Sequence, residues 1–145
     1  MNLDDINKIG LKFHHVGVAC YDIEATSFFY TTQGYTKTEV VFDPIQKVNI
    51  CFCKNMTGGG GVCIELISAH DKDSPINKIL QKNGVSPYHF CYETKNIEES
   101  ILEFKKQGFM LVSKLVPAIA LDGRKICFLF NRNVGLIELV ETEKE

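Results

Sequence analysis

The stretch HVGVACYDIEATSFFYTTQGY, from His15 to Tyr35, lies without a gap on HFCYETKNIEESILEFKKQGF, from His89 to Phe109. In that frame Ile23 falls on Ile97, Glu24 on Glu98, Tyr30 on Phe104, Gln33 on Gln107, Gly34 on Gly108 and Tyr35 on Phe109. The matched apolar positions recur at helical spacing, and the matched glycines fall where a helix needs a left-handed stop. A chain that repeats itself in this way is best read as two copies of one supersecondary unit.

The repeat extends further along the chain. Ile50-Cys51-Phe52 matches Ile126-Cys127-Phe128, and Ile64-Glu65-Leu66 matches Ile137-Glu138-Leu139, with small differences in loop length. Period and composition predict, for the first copy, strands near 13–19, 35–41, 48–53 and 62–67 and a helix near 23–33. For the second copy they predict strands near 88–93, 110–114, 125–131 and 136–140 and a helix near 97–107. Each copy is therefore a βαβββ module. The expected fold class is α+β, with two such modules forming a curved mixed sheet around a metal site. The expected organisation is one domain over 1–145, with modules at 13–68 and 87–141 and a helical linker at 69–86. Within that linker Ser74 is expected as the helix N-cap and Pro75 as the first helical residue, in a helix running to about Asn83.

Bulk properties set limits on function. With 145 residues and 45% hydrophobic side chains the chain fills a core without covalent staples. Its 16 basic and 18 acidic residues are interspersed, so no basic stripe tracks a nucleic-acid backbone and no nucleic-acid partner is expected. The stretch MNLDDINKIGLKF has early acids and no long apolar run, which predicts a soluble, cytoplasmic protein with no membrane partner. Six cysteines lie in or beside strand-like apolar runs and form no Cys-x-x-Cys pair, so they read as small core residues of a reduced protein.

An ionisable residue inside an apolar strand must meet something that offsets its desolvation. His15 and Glu65 are such residues in the first copy, and His89 and Glu138 are their repeat equivalents. For a single histidine the ordinary explanation is a hydrogen-bonded core side chain, and for a single glutamate a strand-end position. Four residues in duplicated register point instead to one divalent metal shared by all four. Two imidazoles and two carboxylates suit nickel, cobalt, zinc, manganese or iron(II), and an octahedral ion would keep two positions open for a chelating substrate.

Other residues carry weaker signals. His14 adjoins His15, but strand alternation lets only one of them face the site, and the repeat selects His15. His70, within Ser68-Ala69-His70-Asp71, reads as a solvated loop residue. Gly58-Gly59-Gly60-Gly61 lacks a following Gly-Lys-Ser/Thr and separates two strands, so it reads as a hairpin connection rather than a phosphate loop. Arg124 and Lys125, after the Asp122-Gly123 turn, are candidate contacts for an anionic substrate tail.

With His15, Glu65, His89 and Glu138 in this paired arrangement, the chain resembles the vicinal oxygen chelate superfamily. That superfamily includes glyoxalase I, methylmalonyl-CoA epimerase, extradiol dioxygenases and bleomycin-resistance proteins. His14-His15-Val16-Gly17-Val18-Ala19, Asp73-Ser74-Pro75-Ile76 with Lys78-Ile79-Leu80, and Gly135-Leu136-Ile137-Glu138-Leu139 carry the resemblance. They are most similar to the epimerase and small bacterial glyoxalase I groups. Epimerases of this type usually show His-His where this chain has Tyr88-His89, and His-Pro-Lys near its Phe130-Asn131-Arg132. Some relatives carry a catalytic acid on the third strand, where Val48, Asn49 and Ile50 supply none.

The resemblance implies metal-assisted proton movement at a carbon next to a carbonyl, through a chelated enediolate, with Glu138 as first base and Glu65 as its counterpart. Delivery to the opposite face of the same carbon makes an epimerase acting on an acyl-CoA thioester. Delivery to the neighbouring carbon makes a lactoylglutathione lyase acting on a glutathione hemithioacetal. A third alternative is a non-catalytic metabolite- or drug-binding protein, although such members often lack the four ligand residues. A homodimer is implied on the same ground.

Overall fold

A computed structural model describes residues 9–55 and 61–143. Gly58, Gly59 and Gly60 of the expected hairpin connection, and most of the N-terminal stretch, lie outside these residues. The described elements are β1 (Lys12–Ala19), α1 (Ile23–Thr32), β2 (Thr36–Lys37), β3 (Val41–Asp43), β4 (Val48–Lys54), β5 (Ile64–Ala69), α2 (Ile76–Asn83), β6 (Ser86–Thr94), α3 (Ile97–Lys106), β7 (Met110–Leu111), β8 (Val116–Ala118), a 3-10 turn at Ile119–Leu121, β9 (Arg124–Asn131) and β10 (Gly135–Glu141). The chain divides into two compact units: His15–Tyr88, and the stretch ending at His14 together with the chain from His89 onward. The α+β class and the repeated module are borne out.

In the first unit the strands run in the order β2-β4-β5-β1. Strands β1 and β5 are parallel, with Gly17 opposite Glu65, whereas β4 and β5 are antiparallel, with Phe52 opposite Glu65. The second unit repeats this in the order β6-β10-β9-β7. There Cys91 faces Glu138 across the parallel β6–β10 pair, and Phe128 faces Glu138 across the antiparallel β9–β10 pair.

The strand expected near 35–41 is interrupted. Its two pieces, β2 and β3, both pair with β4. At the break the Thr38 amide donates to the Phe52 carbonyl, while the Phe52 amide donates to Thr38 Oγ1, both at 2.9 Å. A side-chain hydroxyl thus takes the place of a main-chain carbonyl, and the strand bends away with the Phe52 donor satisfied. The strand expected near 110–114 breaks in the same way. The Val112 amide donates to the Phe128 carbonyl at 2.9 Å, and the Phe128 amide donates to Ser113 Oγ at 2.7 Å, before the chain resumes as β8.

The two module helices share their punctuation. Asp22 and Asn96 are N-caps whose side chains accept from the amides of Ala25 at 3.2 Å and Glu99 at 3.0 Å. At the other end Gly34 has φ +91° and Gly108 φ +90°, and the next amides, of Tyr35 and Phe109, return to the carbonyls of Tyr30 and Phe104 at 3.0 Å. That is the bond pattern of a Schellman stop, and it favours a residue without Cβ at the left-handed position.

Each helix covers one face of its own sheet. In the first unit Val18, Cys20, Ile23, Cys51, Cys53 and Leu66 form the core, with Tyr30 and Tyr35 packed on it. In the second, Ile97, Ile101, Phe104, Cys127, Leu129, Ile137 and Leu139 do so. A fully buried leucine such as Leu66 or Leu139 contributes roughly 1.5–3 kcal/mol by leaving water. All six cysteines are free thiols, and five of them are buried.

The linker helix differs from expectation in one respect. Pro75 has helical dihedrals (φ −64°, ψ −19°), but the Ser74 side chain does not cap. Ser74 is buried and its Oγ has no hydrogen-bond partner among the described residues. The helix entry is held instead by Asn77, whose side-chain amide donates to the carbonyls of Asp71 at 2.9 Å and Lys72 at 3.1 Å. The helix belongs to the first unit, where the Tyr21 hydroxyl donates to the Leu80 carbonyl at 3.3 Å.

Candidate active site

The functional pattern starts from strand parity. On β1, His15 and Gly17 point to the face opposite the helix-covered core, and Glu65 stands beside Gly17 on β5. Glycine leaves room between the two longer side chains, and His15 Nε2 lies 3.3 Å from Glu65 Oε1. On β6, His89 and Cys91 share a face, and Glu138 stands beside Cys91 on β10. His89 Nε2 lies 3.3 Å from Glu138 Oε1. The structure therefore brings together His15 with Glu65 in one unit and His89 with Glu138 in the other, at matching separations.

All four side chains are buried, with residue exposures of 0% for His15, 4% for Glu65, and 3% for each of His89 and Glu138. A phenylalanine closes each pair. Phe52 meets His15 edge-to-face with ring centroids 5.4 Å apart, and Phe128 meets His89 in the same way at 5.2 Å. Each phenylalanine also stands directly across an antiparallel ladder from the glutamate of its pair. These rings were visible in the Ile-Cys-Phe match of the repeat, but apolar strand residues read as core, and their contact with the histidines was missed.

The donor set fits a divalent ion. Each unit offers one imidazole nitrogen and one carboxylate oxygen, the donor types that nickel, cobalt, zinc, manganese and iron accept. A cation also provides the compensation that burial of two carboxylates calls for.

The remaining candidates are placed as follows. His14 Nε2 lies 3.8 Å from Glu93 Oε1. Arg124 donates from Nε to the Leu121 carbonyl and from Nη1 to the Glu141 carbonyl, both at 3.2 Å. Lys125, of opposite parity to Phe128, lies 3.5 Å from Glu98 at the start of α3. His70 is exposed, as expected of a loop residue, yet it is anchored. It stacks on Phe42 with centroids 3.8 Å apart, and its Nδ1 lies 3.1 Å from Asn49 Oδ1.

The family model described as glyoxalase/bleomycin resistance protein/dioxygenase superfamily matches residues 14–128. The chain belongs to this superfamily. Among its members, mouse mitochondrial methylmalonyl-CoA epimerase is 34% identical over 139 residues, covering 94% of this chain and 74% of that protein. A hypothetical protein from Bacillus halodurans superposes with a TM-score of 0.79 at 29% identity, covering 93% of this chain and 96% of the other. A variant of Streptomyces coelicolor methylmalonyl-CoA epimerase in complex with 2-nitronate-propionyl-CoA does so with a TM-score of 0.76 at 25% identity, covering 92% and 98%. The superfamily fold that the resemblance implied is thereby shown. Among the described residues no helix is long and apolar enough to cross a membrane.

Proposed function

We propose that this protein is a metal-dependent epimerase that inverts the carbon next to the carbonyl of a 2-substituted acyl-CoA thioester. The observation that carries the reading is the duplicated, buried His–Glu pair. It occurs in a chain 34% identical to a methylmalonyl-CoA epimerase. In this reading His15, Glu65, His89 and Glu138 together hold one divalent ion, and the two modules work as one domain.

When bound, that ion would supply Lewis-acid stabilisation of the negative charge developing on the thioester oxygen. The proton work falls to the chain's own carboxylates. Among the charged strand residues on the site face, Asp43 accepts from the amides of Ile45 and Gln46 and from Gln46 Nε2, and Glu93 faces His14. Glu138 and Glu65, the carboxylates that the superfamily resemblance points to, carry the acid–base chemistry in this reading. Glu138 takes the proton from the α-carbon, and the C–H electron pair moves toward the thioester oxygen to give an enolate. Glu65, protonated at the outset in this reading, delivers its own proton to the opposite face of that carbon, so the configuration is inverted there, the two carboxyls exchange protonation states and nothing is oxidised or reduced. Burial of both pairs keeps bulk water from reprotonating the enolate at random.

The test is α-proton exchange into deuterated water, followed by NMR, with methylmalonyl-CoA and metal-free or metal-loaded protein. Metal-dependent exchange supports the epimerase. Turnover of the methylglyoxal–glutathione hemithioacetal in its place would make the protein a lactoylglutathione lyase. Metal binding with silence on both would favour a metabolite-binding role. A homodimer in the cytoplasm is part of the same proposal, and sedimentation reads the first half of it.

A further inference from the structure

A metal held by two equivalent half-sites needs the same residues twice, whereas a substrate with one charged and one apolar end does not. Positions on the site face where the two modules differ in chemistry therefore report on the substrate. His15 matches His89, Glu65 matches Glu138, Ile50 matches Ile126 and Phe52 matches Phe128. Two residues beyond the phenylalanine the modules part: the first has Lys54 and the second has Phe130.

Lys54 shares the face of Phe52 by strand parity, and its ammonium lies 5.9 Å from the centroid of the ring that packs on His15. The other charged strand residues on the site face outside the two His–Glu pairs are already engaged. Asp43 accepts from Ile45 and Gln46, Glu93 faces His14, and Arg124 donates to two main-chain carbonyls. Among the described residues no carboxylate pairs with Lys54, which is exposed at the end of β4. Lys37, on the opposite face of the same ladder, is bound to Glu24 at 2.6 Å. A cation resting on an aromatic ring keeps its charge available to an incoming oxyanion while its stem is held against apolar surface.

We propose that Lys54 is the contact for an oxyanion of the substrate, which would lie over the first module. This rests on the epimerase reading and adds the orientation of the substrate to it. Two parts of an acyl-CoA offer the required chemistry, the free carboxylate of the acyl group and the phosphates of the nucleotide.

Lys54→Met keeps the stem on Phe52 and removes the charge. It should raise KM for methylmalonyl-CoA about tenfold, as loss of one charge-assisted contact does, and leave kcat within about twofold. Lys54→Arg should restore most of the loss, and Lys37→Met should leave KM unchanged. The same rise with methylmalonyl-pantetheine, which lacks the nucleotide, assigns the carboxylate; a rise with the CoA ester alone assigns the phosphates. An unchanged KM with both esters overturns the proposal. If wild-type protein exchanges neither ester, it is the epimerase reading that has failed, and calorimetry with malonate and with pyrophosphate decides Lys54 separately. Weakening of either by Lys54→Met supports the contact, and equal affinities refute it.

Discussion

Phe52 sets its ring edge-on to the imidazole of His15, with 75° between the planes, and stands directly across the ladder from Glu65. Phe128 repeats both relationships with His89 and Glu138. Such a ring fixes the orientation of an imidazole and excludes water from the neighbouring carboxylate. Removing a group that orients a metal ligand typically costs 10- to 100-fold in affinity. Phe52→Leu and Phe128→Leu should each weaken cobalt(II) binding by about tenfold at the low end of that range. Chelator competition measures this, and losses under twofold in both variants would show that the rings only fill space.

Glu138→Gln and Glu65→Gln retain the size of each side chain and remove its basicity. Loss of a general base lowers turnover by about 10²- to 10⁴-fold, and each variant should show a fall of that order in α-proton exchange. Circular dichroism checks that the fold is intact, and metal affinity is measured in parallel. A variant that exchanges protons at the wild-type rate would exclude that carboxylate from proton transfer.

The helix caps give a prediction free of any ligand. Asp22→Ala and Asn96→Ala each remove the acceptor for one helix-start amide and should each cost about 1 kcal/mol in urea unfolding. If Asn96→Ser retains wild-type stability while Asn96→Ala does not, the loss comes from the cap rather than from general packing.

Burial raises the thiol of Cys51 to about 12, with the neighbouring Cys53 adding to the effect, and burial likewise raises Cys20. The unfolded thiol titrates from its ordinary 9.0. Below that pH both states are protonated and the folded state keeps its full advantage. Above it the unfolded chain ionises first, so stability falls between about 9 and 12. Urea midpoints should be insensitive to these thiols from about pH 6 to 8 and decline above about 9, with a shallower decline in Cys51→Ala. Iodoacetamide should label the native protein at Cys51 far more slowly than the unfolded chain, and equal rates would contradict the burial.

Much of this was legible before any coordinates because the repeat carries register. Once His15 is laid on His89, the parity of each strand places Glu65 and Glu138 beside their histidines, and Gly34 and Gly108 mark the helix ends. What escaped were features whose signal is not periodic. Thr38 and Ser113 look like ordinary strand residues, yet their hydroxyls replace a main-chain acceptor and break the strands. Ser74-Pro75 matches a helix start in type, but the buried Ser74 side chain does not cap, and the Asn77 side-chain amide ties the helix start to the carbonyls of Asp71 and Lys72 instead. Lys54 carries no periodic signal, and only the structure shows its ammonium over the Phe52 ring.

The hydroxyl-stitched breaks fall in β2–β3 and β7–β8, the outermost segments of their units, whereas β4 and β9 run through uninterrupted beside them. Length changes in those outer segments can be absorbed at the break without displacing Phe52 or Phe128 from the glutamates they face. The fold thereby separates a part that must hold register from a part that can be rewritten, so that its rim can be fitted to a new substrate while the ladder carrying the histidines and glutamates stays as it is.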